Sequence, residues 1–299
     1  MCRWKQVLVL WLGAVALAAG CRGGGPAIEP VPAADEAPMS FDDLAVVLTE
    51  AVDARGRLDP TALAVHRPRL EHQLALLARP WPAELRRGQG DRRLAWLYNA
   101  RAAWSLAIVA RELRPAEGRH DAFELPAAMP AGRLLHTPFP LDGRRTTLAE
   151  IDGLLAGWAD FRVAVTAPCA TDWAAPLPGR PFGAEDVRDS LERRFGATVD
   201  DPRRLVIDHD WRQVWVPAAL WRAREVIIME YNQRQLTRQA DLLTALGPHL
   251  DAHGRARLAD AKGYRLVGRG GTAGIPVQSL PPRERLRRFG PAESGAWDR

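Results

Sequence analysis

The apolar residues of this chain recur at helical spacing over most of its length from residue 40 onward. Within 41–48 they fall three or four residues apart, and Ser40 with Asp43 has the pattern of a helix N-cap. Asp59 followed by Pro60 predicts the start of a second helix, since proline suits the first helical position. Further helices are predicted at 92–113, 147–156, 184–195, 218–231, 235–246 and 251–261.

Strand patterns are few and short. Residues 162–167 alternate apolar and polar side chains and predict a strand, while 204–207 and 213–216 flank a polar turn and predict a β-hairpin. Because helices outnumber strands without a regular β-α-β alternation, the pattern predicts an α+β fold. We expect one helix-rich domain at 41–268, with a small mixed β-sheet covered by several helices, and an Arg-, Pro- and Gly-rich tail at 269–299.

Residues 1–20 have the pattern of an export signal. A short basic start precedes an uncharged apolar run at 7–19, which is shorter than the roughly 20 residues that a membrane-spanning helix needs. The small residues before Cys21 resemble the lipobox of bacterial lipoproteins, where a diacylglycerol is attached to the thiol and the leader is removed. An ordinary cleaved signal with an incidental cysteine is the alternative.

The lipobox resemblance predicts an exported protein that is lipid-anchored to the cell envelope through Cys21. Residues 21–40 are rich in Gly and Pro and lack a periodic apolar pattern, so we expect a flexible tether there. Since Arg22 follows the cysteine where aspartate would favour the inner membrane, the outer membrane, facing the periplasm, is the expected location.

Composition narrows the classes of partner. The formal net charge is +5, and it falls to +3 when Arg3 and Lys5 leave with the leader. That small positive excess argues against nucleic acid as a partner. The expected partners are the membrane, which the lipid would enter, and a ligand or protein of the cell envelope. The sequence contains no phosphate-binding loop, dinucleotide fingerprint or serine nucleophile elbow, so no cofactor is expected.

Cys169 is the thiol that remains for chemistry once the leader is removed and Cys21 carries the lipid, and it has no disulfide partner. One hypothesis makes Cys169 a nucleophile that is assisted by a histidine base and an orienting aspartate. The candidate bases are His209 and His136, and the candidate carboxylates are Asp172 and Asp208. The alternative is a buried cysteine that packs as a small hydrophobe.

Two histidine patterns suggest other chemistry. His249 and His253 are four residues apart, as a helical metal pair would be, but Gly and Pro neighbours interrupt a regular helix, so no metal site is predicted. Residues 208–210 place His209 between two aspartates, which suits either acid–base chemistry or a polar hairpin turn.

Four segments carry motifs in a shared order. They are the Val-Asp-Ala-Arg-Gly-Arg-Leu-Asp turn at 52–59, Trp-Leu-Tyr-Asn-Ala at 96–100, Leu-Ala-Glu-Ile-Asp-Gly at 148–153, and the stretch at 160–175. In order and spacing they are similar to motifs of the domain of unknown function family 547. The resemblance extends over about 41–268.

The positions of this family best suited to chemistry, two histidines and a cysteine, are altered in this chain. They are occupied by Gly153, Ala164 and Ala174. The residues that remain, and that the resemblance implies at the site cleft, are Cys169, Asn99, Asp152, Asp160 and Arg162. Because a nucleophile needs a base within hydrogen-bond reach, the resemblance implies a degenerate, non-catalytic domain that binds a ligand or partner. A cysteine-dependent hydrolase or transferase using Cys169 is the alternative.

Overall fold

The computed structural model describes residues 27–28, 39–86, 90–171, 174–236, 240–269 and 275–276. The predicted leader, the lipidation site Cys21, the candidate Asp172 and nearly all of the predicted tail lie outside the described residues. Within the described part of the chain, no helix is both long enough and apolar enough to cross a bilayer.

Helices provide most of the regular structure of the described residues. They are α1 (Asp42–Ala51), α2 (Pro60–Val65), α3 (Arg67–Ala78), α4 (Ala83–Arg86), α5 (Asp91–Ala110), α6 (Ala131–His136), α7 (Leu148–Ala156), α8 (Phe161–Val165), α9 (Val187–Asp200), α10 (Ala218–Gln235), α11 (Leu242–Leu246) and α12 (Ala252–Asp260). A 3₁₀ turn, Gly247–His249, lies between α11 and α12.

The strands form four small sheets within the described residues. They are β1 (Arg114–Ala116), β2 (Arg119–Glu124), β3 (Ala128–Met129), β4 (Phe139–Leu141), β5 (Arg144–Thr146), β6 (Val206–Asp208), β7 (Gln213–Pro217), β8 (Arg265–Arg269) and β9 (Ile275–Pro276). The pairs β1–β2, β3–β9 and β4–β5 are antiparallel, and the order β6-β7-β8 forms a three-stranded sheet with one antiparallel and one parallel pairing. The helix-rich α+β prediction is confirmed, as is the hairpin around 209–212.

Several helix starts follow their sequence signals, and one does not. Asp59 accepts hydrogen bonds from the backbone of Thr61 and Ala62, with Pro60 at the first helical position. At α7, Thr147 and Glu150 form the expected capping box. At α1 the predicted Ser40 cap is wrong. Gln73 of α3 supplies it from a distance, accepting from the Leu44 N–H at 3.2 Å and donating to the Ser40 carbonyl at 2.8 Å.

Residues 162–167 are not a strand, which corrects the sequence prediction. They belong to the short helix α8 and its end, because the Asp160 carboxylate accepts the Arg162 N–H at 3.0 Å and starts a helical turn. Val163 and Val165 are both buried on α8. A run this short carries too few positions for alternation to distinguish a strand from a helical turn.

Two predicted helix boundaries are also wrong. Helix α9 continues through Gly196, because a glycine there lets the helix approach the His249 carbonyl, which lies 2.9 Å from where a Cβ would be. The predicted helix 235–246 is interrupted, since Leu236 takes a left-handed conformation (φ 51°) that ends α10, and α11 begins only at Leu242.

Helix α5 forms the centre of the larger hydrophobic cluster. It is buried on almost every side and contacts α3, α7 and α9, which fits a helix that is apolar all round. A second cluster lies between α9, β7, α10 and α11. Helix α9 contributes to both, with Val187 and Leu191 in the first and Phe195 and Val199 in the second. This helix also forms one wall of the cleft described below.

Candidate functional site

Arg101 of α5 holds together three parts of the predicted site. Its guanidinium donates to both carboxylate oxygens of Asp152 on α7, at 2.6 Å to Oδ1 and 3.2 Å to Oδ2. It also donates to the carbonyls of Ala167 and Pro168 and interacts with the Cys169 sulfur. Burial alone would lower the pKa of Arg101, but Asp152 and Cys169 raise it further than burial lowers it. Asp152 is therefore the counter-ion of a buried cation.

Asn99, two residues before Arg101 on α5, forms two hydrogen bonds from its side-chain amide to the backbone of Phe182. Its Nδ2 donates to the Phe182 carbonyl at 3.0 Å, and the Phe182 N–H donates to its Oδ1 at 2.8 Å. The side chain is fully buried. Neighbouring Tyr98 donates its hydroxyl to the Val163 carbonyl at 2.6 Å. Asn99 thus fixes the chain at Phe182, which lines the cleft, in the way that buried polar groups are normally satisfied.

Asp160 and Arg162 begin a chain of ion pairs on the outside of α8. Arg162 Nε donates to Asp160 Oδ1 at 2.9 Å, and its Nη1 donates to Glu192 of α9 at 2.7 Å. Glu192 in turn lies 2.6 Å from His249 Nδ1. Burial raises the pKa of Asp160, but the hydrogen bonds from Arg162 outweigh it and hold that pKa below its usual range. These contacts join α8, α9 and the 3₁₀ turn.

Cys169 is 1% exposed, and its backbone N–H donates to the Ala175 carbonyl at 3.1 Å. In the described part of the chain, no histidine is hydrogen-bonded to it. His209 lies in the exposed β6–β7 turn, where its Nδ1 is 3.1 Å from the Tyr264 hydroxyl. Asp208 accepts the Trp211 N–H in the same turn, as hairpin aspartates commonly do. His136 is exposed at the end of α6.

The positions where the resembled family carries histidine or cysteine are dispersed. Gly153 is on the exposed side of α7, with nothing within 4 Å of a Cβ added there. Ala164 is half-buried on α8, and the Ala174 carbonyl accepts Arg204 Nε at 2.5 Å. None of the three lines the cleft described next.

His249 and His253 do not share a helix. His249 closes the 3₁₀ turn and contacts Glu192, whereas His253 is exposed near the start of α12. In the ranges that the structure describes, no group of three or more His, Cys, Asp or Glu side chains is placed to hold a metal ion.

An open cleft of about 860 Å³ lies between three segments of the chain. The turn 54–57 forms one wall, the Pro-rich segment 176–182 a second, and α9 with the following loop to Arg204 the third. Gly56 closes the turn at φ +76°, and a Cβ there would lie 2.5 Å from Pro176 Cβ, so the two walls are in close contact. We call this space the arginine cleft, after its lining arginines Arg55, Arg57, Arg180, Arg193, Arg194, Arg203 and Arg204.

The two carboxylates that line the arginine cleft are already engaged. Asp186 forms an ion pair with Arg180 at 2.9 Å. Asp201 forms ion pairs with Arg203, at 2.8 Å, and with Arg204. Burial raises the pKa of Asp201, but its bonds from Arg203 and the charge of Arg204 outweigh it and hold that pKa below its usual range. The local charge of the cleft is therefore positive.

Three of the lining arginines have no carboxylate within ion-pair distance in the described part of the chain. Arg57 is neutralised by Asp53, 2.8 Å away, but Arg55, Arg193 and Arg194 have no such partner. Arg55 is exposed on the turn and Arg193 is exposed on α9, so they approach the cleft from two of its walls.

Arg194 is the most constrained of the three. Its Nη2 donates to the carbonyls of Thr166 and Pro176, each at 3.0 Å, and its Cζ lies 4.8 Å from the Phe182 ring centre. Its Nε is buried and has no hydrogen-bond partner in the described residues. Burial lowers the pKa of Arg194 to about 10, since no carboxylate compensates the desolvated charge.

Comparison of the chain with protein-family models, curated proteins and solved structures found no match. The resemblance to the domain of unknown function family 547 stays a prediction that rests on its sequence motifs.

No pattern in the sequence predicted the arginine cleft. Its charges come from 55–57, 180, 193–194 and 203–204, and in a chain so rich in arginine these positions had no distinguishing spacing. The available signals were the Pro-Gly-rich stretch 176–183, which indicates a loop, and the two Arg-Arg pairs that follow it.

Proposed function

We propose that this chain is a lipid-anchored protein of the cell envelope whose domain binds a ligand in the arginine cleft without catalysing its conversion. The observation that carries the proposal is the lining of that cleft, which contains no cysteine and no histidine among the described residues. Its one hydroxyl nucleophile among the described residues, Ser190, donates to the Val187 carbonyl of its own helix, and the carboxylate one turn earlier, Asp186, is bonded to Arg180 and to the Gly183 N–H. A nucleophile without a base is a poor catalyst.

The surroundings of Cys169 support the same proposal. The thiol is buried, its neighbour Arg101 is tied to Asp152, and two of the residues expected to assist it, His209 and Asp208, make their contacts in the β6–β7 turn. Asn99, Asp152, Asp160 and Arg162 each have a structural partner, so the polar residues that survive in the motifs maintain the shape of the domain.

The lipid anchor is proposed from the sequence of the leader and from Cys21. The predicted tether at 21–40 is shortened by Ile28, whose N–H donates to the Pro138 carbonyl at 2.9 Å and whose side chain packs against the larger hydrophobic cluster. We therefore assign the tether to the Gly-rich residues between Cys21 and Ile28, because such linkers are flexible and solvated. An outer-membrane location, facing the periplasm, is part of the proposal.

Peptide mapping by mass spectrometry tests both cysteines together. The protein is purified from envelopes, treated with iodoacetamide at neutral pH while folded, and compared with protein treated in urea. We expect diacylglycerol on Cys21 at the N-terminus, and we expect Cys169 to be alkylated only after unfolding, because reagent cannot reach a thiol that is 1% exposed. Rapid alkylation of folded Cys169 would favour the cysteine-dependent enzyme, and an unlipidated Cys21 would remove the anchor.

A further inference from the structure

The arginine cleft combines an uncompensated charge with a shape that admits a ligand. Arg194 keeps a buried, unpartnered Nε, and Arg55 and Arg193 add two exposed guanidinium groups from different walls. A desolvated cation without a counter-ion is energetically unfavourable, and an anion that bound beside it would remove part of that penalty. The electrostatics of the cleft therefore favour an anionic occupant over a neutral or cationic one.

The chemistry of the lining narrows the kind of anion. A guanidinium group presents its N–H donors in a planar fork that matches the two oxygens of a carboxylate or phosphate. No lysine lines the cleft, so the positive charge is carried entirely by forks of this kind in the described residues. Oxyanions are therefore favoured over halides or other spherical anions.

The size of the cleft narrows the ligand further. Its volume of about 860 Å³ lies within the roughly 300–1,000 Å³ typical of small-molecule sites. A single phosphate would fill a small part of it. The prolines Pro176, Pro178 and Pro181, together with the Phe182 ring, add apolar surface to the lining. A ligand that used the whole cleft would carry separated anionic groups on an organic body.

We propose that the arginine cleft binds a small organic oxyanion with more than one phosphate or carboxylate group, held between Arg55, Arg193 and Arg194. This inference rests on the proposed binding function and deepens it by naming the class of ligand. Arg57 and Arg180 each have a carboxylate partner, and Arg203 and Arg204 share Asp201, so we assign these four to the walls of the cleft and not to direct contact with the ligand.

Titration calorimetry of the purified protein at fixed ionic strength tests the inference with two probes, pyrophosphate and citrate. The variants Arg55→Gln and Arg193→Gln remove exposed charges that have no ion-pair partner in the described residues, so folding is expected to be unaffected. We expect each variant to weaken binding of the better probe by about fivefold to tenfold and the double variant by about fiftyfold, as for the loss of one and two charge-assisted contacts.

Arg222→Gln is the matched control, because Arg222 is also exposed, lies on α10 and does not line the cleft. It should leave the affinity unchanged. Arg194→Lys keeps the charge but removes the fork, and we expect it to weaken binding as well; thermal unfolding of each variant reports whether the fold is retained.

The outcomes distinguish the proposed class of ligand from the non-catalytic binding function on which it rests. Preference for pyrophosphate assigns phosphate groups to the ligand, and preference for citrate assigns carboxylates; both support the inference. Binding that is absent at millimolar probe, or equal in the double variant and the Arg222→Gln control, overturns it. If that happens while Cys169 stays protected from alkylation, the non-catalytic binding function survives with a different ligand; if Cys169 is also reactive, both fail.

Discussion

Replacing Asp152 by asparagine should destabilise the domain through the buried cation that it leaves behind. The Arg101 side chain is 6% exposed and bonds Asp152 through two N–H donors at 2.6 and 3.2 Å. An asparagine side chain would keep the shape but remove the negative charge, so the guanidinium would keep its desolvation penalty without its counter-ion. Removing one partner of a buried pair costs about 3–5 kcal/mol.

The lower end of that range applies, because the Asp152 side chain is 18% exposed and water can reach it. With about 2–4 °C of Tm lost per kcal/mol in a domain of this size, a loss of about 3 kcal/mol lowers the Tm by about 6–12 °C. Thermal unfolding followed by circular dichroism measures the shift, and urea unfolding gives the free energy.

Asp189→Asn is the control, since Asp189 is exposed on α9 and has no ion-pair partner in the described residues. Its effect should stay within about 0.5 kcal/mol. Asp152→Asn should also speed the alkylation of Cys169, because Arg101 holds the 167–168 carbonyls beside that thiol. A Tm change for Asp152→Asn as small as that of the control would show that the Arg101–Asp152 pair does not stabilise the domain.

Two further changes test the walls of the arginine cleft. Asn99→Ala leaves the Phe182 N–H and carbonyl without partners, so we expect a loss of about 2–3 kcal/mol in urea unfolding and weaker binding of the oxyanion probe; unchanged stability would contradict the pairing. Gly56→Ala adds a methyl group 2.5 Å from Pro176 Cβ, whereas Gly118→Ala, at a similar positive φ, meets open space. Gly118→Ala should therefore cost about 1 kcal/mol and Gly56→Ala clearly more, and equal values from differential scanning calorimetry would show that the two walls are not in contact.

Local signals in the sequence were enough to predict much of the fold. The cap at Asp59, the capping box at Thr147 and the hairpin around 209–212 each depend on residues close together in the chain, and the structure contains all three. The errors occur where a distant residue decides the outcome. Gln73 caps α1 in place of Ser40, and no spacing pattern contains that information.

The site was harder to predict for the same reason. The motifs drew attention to Asn99, Asp152, Asp160 and Arg162, and these side chains are buried or paired because they hold segments in place. The uncompensated positive charge of the arginine cleft comes from arginines that lack a carboxylate partner. Tertiary contacts decide which arginines these are. Arg57 and Arg55 are two residues apart in the sequence, yet one is neutralised by Asp53 and the other is not.

We propose that the arginine cleft, and not Cys169, binds the ligand of this protein. The most direct measurement compares the affinity of the better oxyanion probe for three proteins by titration calorimetry: the unchanged chain, Cys169→Ala and the double variant Arg55→Gln/Arg193→Gln. We expect Cys169→Ala to bind as the unchanged chain does and the double variant to lose about fiftyfold. Loss of binding in Cys169→Ala with full affinity in the double variant would contradict the claim.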